Sequence, residues 1–186
     1  MLVLLGKTAS GKNEVVNKLI SRYGFHQIVT YTTRPMRDGE IPDVTYHYIN
    51  EIDFKERITQ GFFAEWRSYT TEFGVWYYGT ALEDLTKADD KSIIILTPCG
   101  YRSLENKLEE KPIAIYLYAN DKTIKARLMA RGDDEKEAQR RLKQDNIDFK
   151  HFENEADRIV YNNNDNDLDE VTEKIISFLR KKQVEV

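Results

Sequence analysis

Short, wholly apolar runs alternating with helically spaced stretches predict an α/β fold: a three-layer α/β/α arrangement on a parallel core sheet. The runs at 2–5, 93–96 and 113–117 have no polar face, as expected of strands covered on both sides. Each is followed by a segment with helical spacing of apolar residues, the rhythm of parallel strands joined by helices. Residues 31–78 break that rhythm. They are rich in aromatics and punctuated by Arg34-Pro35, Asp38-Gly39 and Ile41-Pro42, which predicts an insert with its own antiparallel sheet.

In chain order, a strand at 2–5 leads into a glycine-containing loop and then a helix over 12–22, whose buried stripe is Val15, Val16, Leu19 and Ile20. Residues 25–30 read as the second strand. Within the insert, short strands fit 45–49, 62–66 and 76–78, with a helix at 52–59. Thr80 is placed to cap a helix ending near Ala88, and 92–96 and 113–117 are buried strands separated by a helix at 101–109. Asp121 is the expected cap of a helix to Arg131 that Gly132 stops. A charged helix over 133–150, a strand at 158–161 and an amphipathic helix at 168–181 complete the chain, with 162–167 an Asn/Asp turn.

The 186 residues fit one domain with a sizeable core. No apolar run approaches the roughly 20 residues that span a bilayer, and no basic, apolar and small-residue leader opens the chain. A single cysteine, Cys99, excludes an internal disulfide framework and suits a reducing compartment. The expected location is therefore cytoplasmic, as a monomer or homodimer. A net charge of −4 argues against nucleic-acid or membrane partners, so any phosphate-binding charge must be concentrated locally. His26, His47 and His151 have no metal-ligand spacing, and Cys99 has no histidine nearby in sequence to activate it.

Gly6-Lys7-Thr8-Ala9-Ser10-Gly11-Lys12 has the GxxxxGK spacing of a P-loop between a strand and a helix, which makes the expected fold a P-loop three-layer α/β/α one. Glycines let backbone N–H groups face phosphate oxygens, the helix N-terminus adds positive dipole, and Lys12 reaches the β- and γ-phosphates. Lys12 is expected to face solvent until a nucleotide arrives. The plain alternative is a strand–helix turn with no ligand. Asn13 stands where the pattern has a hydroxyl for Mg²⁺; its side-chain oxygen is the candidate metal ligand. In the insert, Arg34 and Arg37 beside a proline turn can fork around a phosphate, tyrosine hydroxyls such as Tyr46 and Tyr78 can complete the shell, and Glu65 can accept from guanine N1–H and its amine. Read singly, each could equally be a turn, packing or surface residue.

Their order is more specific. Thr32-Thr33-Arg34-Pro35-Met36-Arg37-Asp38-Gly39-Glu40, then Tyr46, Phe63-Ala64-Glu65-Trp66 and Tyr77-Tyr78-Gly79-Thr80 resemble the guanylate kinase family, and the similarity runs over nearly the whole chain. That resemblance implies a core of 1–30, 81–126 and 143–186, a nucleoside-monophosphate-binding insert of 31–80 and a mobile lid of 127–142. It implies ATP and Mg²⁺ on one side, with Gly6 to Asn13, Arg127 and Arg131 (the RLxxRG stretch) as ATP contacts. GMP or dGMP would lie on the other, its phosphate on Arg34, Arg37, Tyr46 and Tyr78, its base facing Thr30, Glu65 and Thr80, and Glu40 near the phosphate. Lys12, Arg37, Arg131 and Arg141 would carry the catalytic charge, with Arg141 bridging both nucleotides. Some of Arg127, Arg131, Arg140 and Arg141, on two charged segments flanking Gly132-Asp133-Asp134, also fit a solvated helical face with i,i+4 pairs.

The chain departs from the family pattern at Asn13, at Thr97, where an aspartate is typical, and between Glu65 and Tyr78, which is longer by about four residues. Two alternatives follow: a related kinase of another phosphate monoester, such as ribose 1,5-bisphosphate, or a non-catalytic guanylate-kinase-like binding module.

Overall fold

The structure, a computed structural model, describes residues 1–105, 107–108, 110–163, 167–182 and 184. Its axis is β1 (Leu2–Leu5), whose four residues are at most 1% exposed. Parallel strands flank both edges: β7 (Ser92–Leu96) and β8 (Ile113–Tyr118), each in register with β1 along its whole length. β2 (His26–Gln27) lies outside β7 and β9 (Arg158–Tyr161) outside β8, giving the order β2-β7-β1-β8-β9. Because side chains alternate along a strand, the sheet feeds two cores. Leu2, Leu4, Ile93, Ile115 and Leu117 meet Val15, Val16 and Leu19 of α1 (Lys12–Tyr23) and Val171, Ile175, Ile176 and Leu179 of α7 (Leu168–Lys181). Val3, Leu5, Ile94, Ala114 and Tyr116 meet Leu85 of α3 (Leu82–Thr86), Tyr101 and Leu104 of α4 (Pro98–Glu105), Phe149 and Phe152. Helices thus cover both faces, as a parallel sheet requires.

A second sheet, β4-β3-β6-β5, is built from β3 (Tyr31–Thr32), β4 (His47–Tyr48), β5 (Phe63–Thr71) and β6 (Gly74–Ala81). It is mixed, not wholly antiparallel as expected, because the loop after β3 returns the chain in the same direction to lay β4 parallel to it. α2 (Glu51–Thr59), capped by Asn50 through the Asp53 N–H, packs beneath. Its Phe54 stacks on Phe63 at 4.4 Å. A Cβ at Gly79 would lie 2.9 Å from both rings, so only glycine fits there.

Several boundaries differ from those expected. The stretch 25–30 makes ladder contacts with β7 only at 26–27, plus Ile28 N–H to Ile93 O; Thr30 O then accepts from His47 N–H of the other sheet. The strand is handed from one sheet to the other. The two short strands expected at 62–66 and 76–78 are one long hairpin, β5–β6, so the extra residues lengthen strands instead of a loop. Thr80 caps nothing: it lies in β6, and Ala81 precedes α3 without a side-chain cap. Asn120, one residue before Asp121, caps α5 (Asp121–Arg131), and Gly132 ends it at φ 73°. The charged helix α6 runs over Glu135–Asp148, capped by Asp134. Positions 106 and 109 of the helix expected at 101–109, and 164–166 of the Asn/Asp turn, fall outside the described residues. Among the described residues no helix is long and apolar enough to cross a membrane.

Candidate active site

The phosphate loop leaves the carboxyl end of β1, the central strand, with parallel neighbours on either side; crevices at such strand ends are where open α/β sheets bind ligands. Gly11, at φ 93°, is the N-cap of α1 and offers no side-chain acceptor. The first-turn N–H groups of α1 therefore have no side-chain cap, as an anion seat requires. A Cβ on Gly11 would lie 2.4 Å from Asn162 Nδ2. That amide donates to Ser10 O at 2.8 Å, and Arg127 donates to Ala9 O at 3.2 Å, so β9 and α5 hold the outer wall of the loop.

Lys12 is half-buried along the cavity, not freely solvent-facing as expected. Its Nζ donates to Gly6 O at 2.7 Å and Lys7 O at 2.9 Å, and burial pushes the ammonium down to about 8, against the attraction of Asp145 and Glu14. The side chain of Lys7 turns away, to Asn146 Oδ1 at 2.5 Å. The Thr8 N–H is also occupied, donating to Asp145 Oδ2 of α6 at 2.6 Å. Ser10 Oγ is buried and has no partner.

A cavity of about 830 Å³ runs from this loop to the second sheet. Of the residues read as ATP contacts, Gly6, Thr8, Ala9, Gly11, Lys12, Asn13, Arg127 and Arg131 line it; Lys7 and Ser10 do not. Of those read as acceptor contacts, Thr30, Arg34, Arg37, Glu40, Tyr46, Glu65 and Tyr78 line it, as does Arg141. Thr80 does not. It is fully buried behind Glu65, donating its hydroxyl to Glu65 Oε1 at 2.6 Å.

At the acceptor end the polar groups are pre-braced. Glu40 accepts from Arg34 Nη2 at 2.7 Å, from the Arg37 N–H at 2.8 Å and from the Tyr48 hydroxyl at 2.7 Å. Burial works against the ionised Glu40, but these three donors outweigh it and hold its carboxyl below the usual range. Arg34 is 4% exposed and lies over the Tyr46 ring; burial disfavours its charge, yet Glu40 holds it above the ordinary value. Arg37 is lowered, by burial first and then by Arg141, Arg34 and Arg131. Three guanidinium groups therefore press on that of Arg37 in a protein of net negative charge, a field that an anion would relieve. Burial pushes the Tyr46 hydroxyl up to about 12, so it remains a donor. Burial also raises Glu65, opposed by Thr80, Arg67 and Lys107.

Arg141 binds Glu137 at 2.8 Å and lies 5.9 Å from the Trp76 ring of β6, so α6 reaches both ends of the cavity. Arg140 shares Glu137 at 2.8 Å, and Arg131 pairs with Asp133. Thr97, where a carboxylate was expected, accepts from the Gly100 N–H at 3.2 Å in the first turn of α4. Sequence reasoning missed Asn162, Asp145, Tyr69 and Trp76, which also line the cavity. A signal existed for two: Asp145 is four residues after Arg141 on one helix face, and Asn162 follows the carboxyl end of a parallel strand.

A phosphate loop at the end of the central parallel strand, facing an arginine- and tyrosine-lined acceptor wall across one cavity, defines a P-loop phosphotransferase architecture for two anionic substrates. The guanylate kinase family model matches residues 1–182. The chain is 33% identical over 145 residues to a guanylate kinase of Syntrophus aciditrophicus (strain SB), covering 76% of this chain and 68% of that protein. It is 27% identical over 185 residues to one from Prochlorococcus marinus subsp. pastoris, covering 97% and 96%. In fold it resembles the crystal structure of guanylate kinase from Anaplasma phagocytophilum, with a TM-score of 0.69 at 18% identity, over 100% of this chain and 87% of that one. The chain belongs to the guanylate kinase family.

Proposed function

We propose that the chain transfers the γ-phosphate of ATP to GMP, or to dGMP, giving ADP and the nucleoside diphosphate, with the residues of this cavity in the following roles. The loop N–H groups and Lys12 hold the ATP phosphates, with Arg127 and Arg131 closing over them. Arg34, Arg37, Tyr46 and Tyr78 hold the acceptor phosphate, and Glu40 acts by orienting Arg34 and the Arg37 backbone. Glu65 accepts from guanine N1–H and the exocyclic amine, beside Thr30; Thr80 positions its carboxylate from behind. An oxygen of the GMP phosphate attacks the γ-phosphorus while the bond to the ADP oxygen breaks. Lys12, Arg37, Arg131 and Arg141 stabilise the charge on the group in transit. No covalent intermediate is required.

Among the described residues no three His, Cys, Asp or Glu side chains form a metal cage. Asn13 lines the cavity next to Lys12 and offers an oxygen of the kind hard cations take. That fits Mg²⁺ carried mainly on phosphate oxygens and water, with Asn13 as the protein ligand. When bound, Mg²⁺ would neutralise charge on the ATP phosphates. Residues 31–80 would act as the acceptor-binding part and 127–142 as the lid, closing to exclude water. Nucleotides are the expected partners, and the cytoplasm, which supplies them and keeps Cys99 reduced, the expected location.

The observation that carries this reading is the joining, in one cavity, of the loop at one end with Glu65 and the Arg34/Arg37 pair at the other. The test is a coupled ADP-release assay across GMP, dGMP, AMP, UMP and ribose 1,5-bisphosphate. Turnover should be confined to the guanine nucleotides. Turnover with ribose 1,5-bisphosphate alone, or ATP binding with no turnover on any acceptor, would sink it.

A further inference from the structure

The loop that should receive an anion already holds one. Thr8 donates its N–H to Asp145 Oδ2 at 2.6 Å, the kind of amide that a glycine-containing loop turns toward a phosphate oxygen. Asp145 belongs to α6, and the next residue, Asn146, accepts from Lys7 Nζ at 2.5 Å. Two consecutive residues of one helix are thus latched onto two consecutive residues of the loop. One turn earlier, Arg141 reaches the Trp76 ring on the far side of the cavity. Burial pushes the Asp145 carboxyl up, while the Thr8 amide and Lys12 favour its ionised form.

We propose that Asp145 is a built-in surrogate for a phosphate of the donor nucleotide, occupying the anion seat at Thr8 in the ligand-free protein and vacating it when ATP binds. One amide N–H cannot serve two anions at once, so a phosphate seated at Thr8 must displace the carboxylate and with it the loop-facing end of α6. Displacement reduces apparent ATP affinity by the fraction of molecules with the seat open. It also ties the arrival of ATP to the helix that carries Arg141, so the residue facing both substrates is released by one of them. This proposal rests on the phosphate-loop reading given above.

The test compares ATP affinity of the wild-type chain, Asp145→Ala and Asp145→Asn by calorimetry, with hydrogen exchange across α6. Asp145→Ala should bind ATP about tenfold more tightly, with Asp145→Asn between, since it keeps an acceptor and loses the charge. In the ligand-free protein both variants should exchange faster over Glu135–Asp148, and with ATP bound all three should exchange alike. Unchanged or weaker ATP binding in both variants overturns the proposal, because an anion that does not compete is not a surrogate, and weaker binding would make Asp145 part of the donor site itself. If Asp145→Ala fails to fold, Asp145→Asn alone decides. Lys12→Ala separates the two readings: if it binds ATP as the wild type does, the phosphate loop is misassigned. If it loses ATP while the Asp145 variants are unchanged, only the surrogate fails.

Discussion

At the donor end of the cavity the polar groups belong to the backbone and are held in place by glycine geometry. At the acceptor end they belong to side chains, held by other side chains. The loop presents carbonyls and N–H groups, with one lysine folded back on Gly6 O and Lys7 O. The opposite wall presents guanidinium and hydroxyl groups gathered by Glu40 and a carboxylate gripped by Thr80. The difference teaches where each end is vulnerable. A backbone seat is lost by changing the shape of the chain, and a side-chain seat by removing a single charge or hydroxyl.

The largest expected effect is at the lysine of the phosphate loop. Lys12→Ala should cut turnover by at least about a thousand-fold, measured by ADP release with saturating GMP. It should leave the ligand-free protein folded, with stability in thermal unfolding little changed, since relief of the desolvated ammonium offsets the two lost bonds to loop carbonyls. Turnover near wild type would refute the phosphate-loop role proposed for Lys12. On the acceptor side, Glu65→Gln should lower kcat/KM for GMP by about a hundred-fold, the scale of a lost charge-assisted pair, and leave AMP unimproved beyond it. Equal loss for every acceptor would mean that Glu65 supports the fold and not the base.

Gly11→Ala probes the backbone seat directly. It should cost about 1–3 kcal/mol of stability, because of the φ of 93° and the 2.4 Å approach to Asn162, and weaken ATP more than GMP. Comparable weakening of both would show that the ends are not separately built. The smallest effect is one of pH. Lys12 titrates near 8, below its usual 10.5, so between those values the unfolded chain binds a proton that the native chain has shed. Ligand-free stability from this group therefore rises with pH across that window, and the charged form is a cost below it. ATP requires the charged form, so its affinity should hold below about pH 8 and fall above it by up to about tenfold per unit. GMP, on the proposed seat of arginines and Tyr46, whose hydroxyl burial pushes up to about 12, should bind evenly over the same range. An ATP affinity that is flat to about pH 9.5 would contradict the assignment.

The sequence made the core strands legible because burial on both faces leaves only apolar residues, as in 2–5 and 113–117. The long β5–β6 hairpin was not legible. Arg67, Tyr69 and Thr71 alternate with Ser68, Thr70 and Glu72, so neither face is apolar and the period of two is invisible. Thr80 misled because a hydroxyl before a helix normally caps it, whereas here Glu65 takes the hydroxyl across the hairpin. The glycines and Lys12 of the loop are marked by spacing alone, and the structure brings Arg34, Arg37, Tyr46, Glu65 and Tyr78 into the same cavity. Asp145 escaped because α6 reads as a charged, solvated helix, in which a spacing of four from Arg141 does not by itself single out the carboxylate that packing turns toward the loop.

The contact between Arg141 and Trp76 has an optical consequence. The chain contains two tryptophans; Trp66 is 39% exposed, while Trp76 lies beside a cation carried by α6. A guanidinium withdrawn from an indole changes its emission, so in a Trp66→Phe background the protein carries its own fluorophore for the position of that helix. Nucleotide-driven rearrangement can then be timed by stopped flow without attaching a dye.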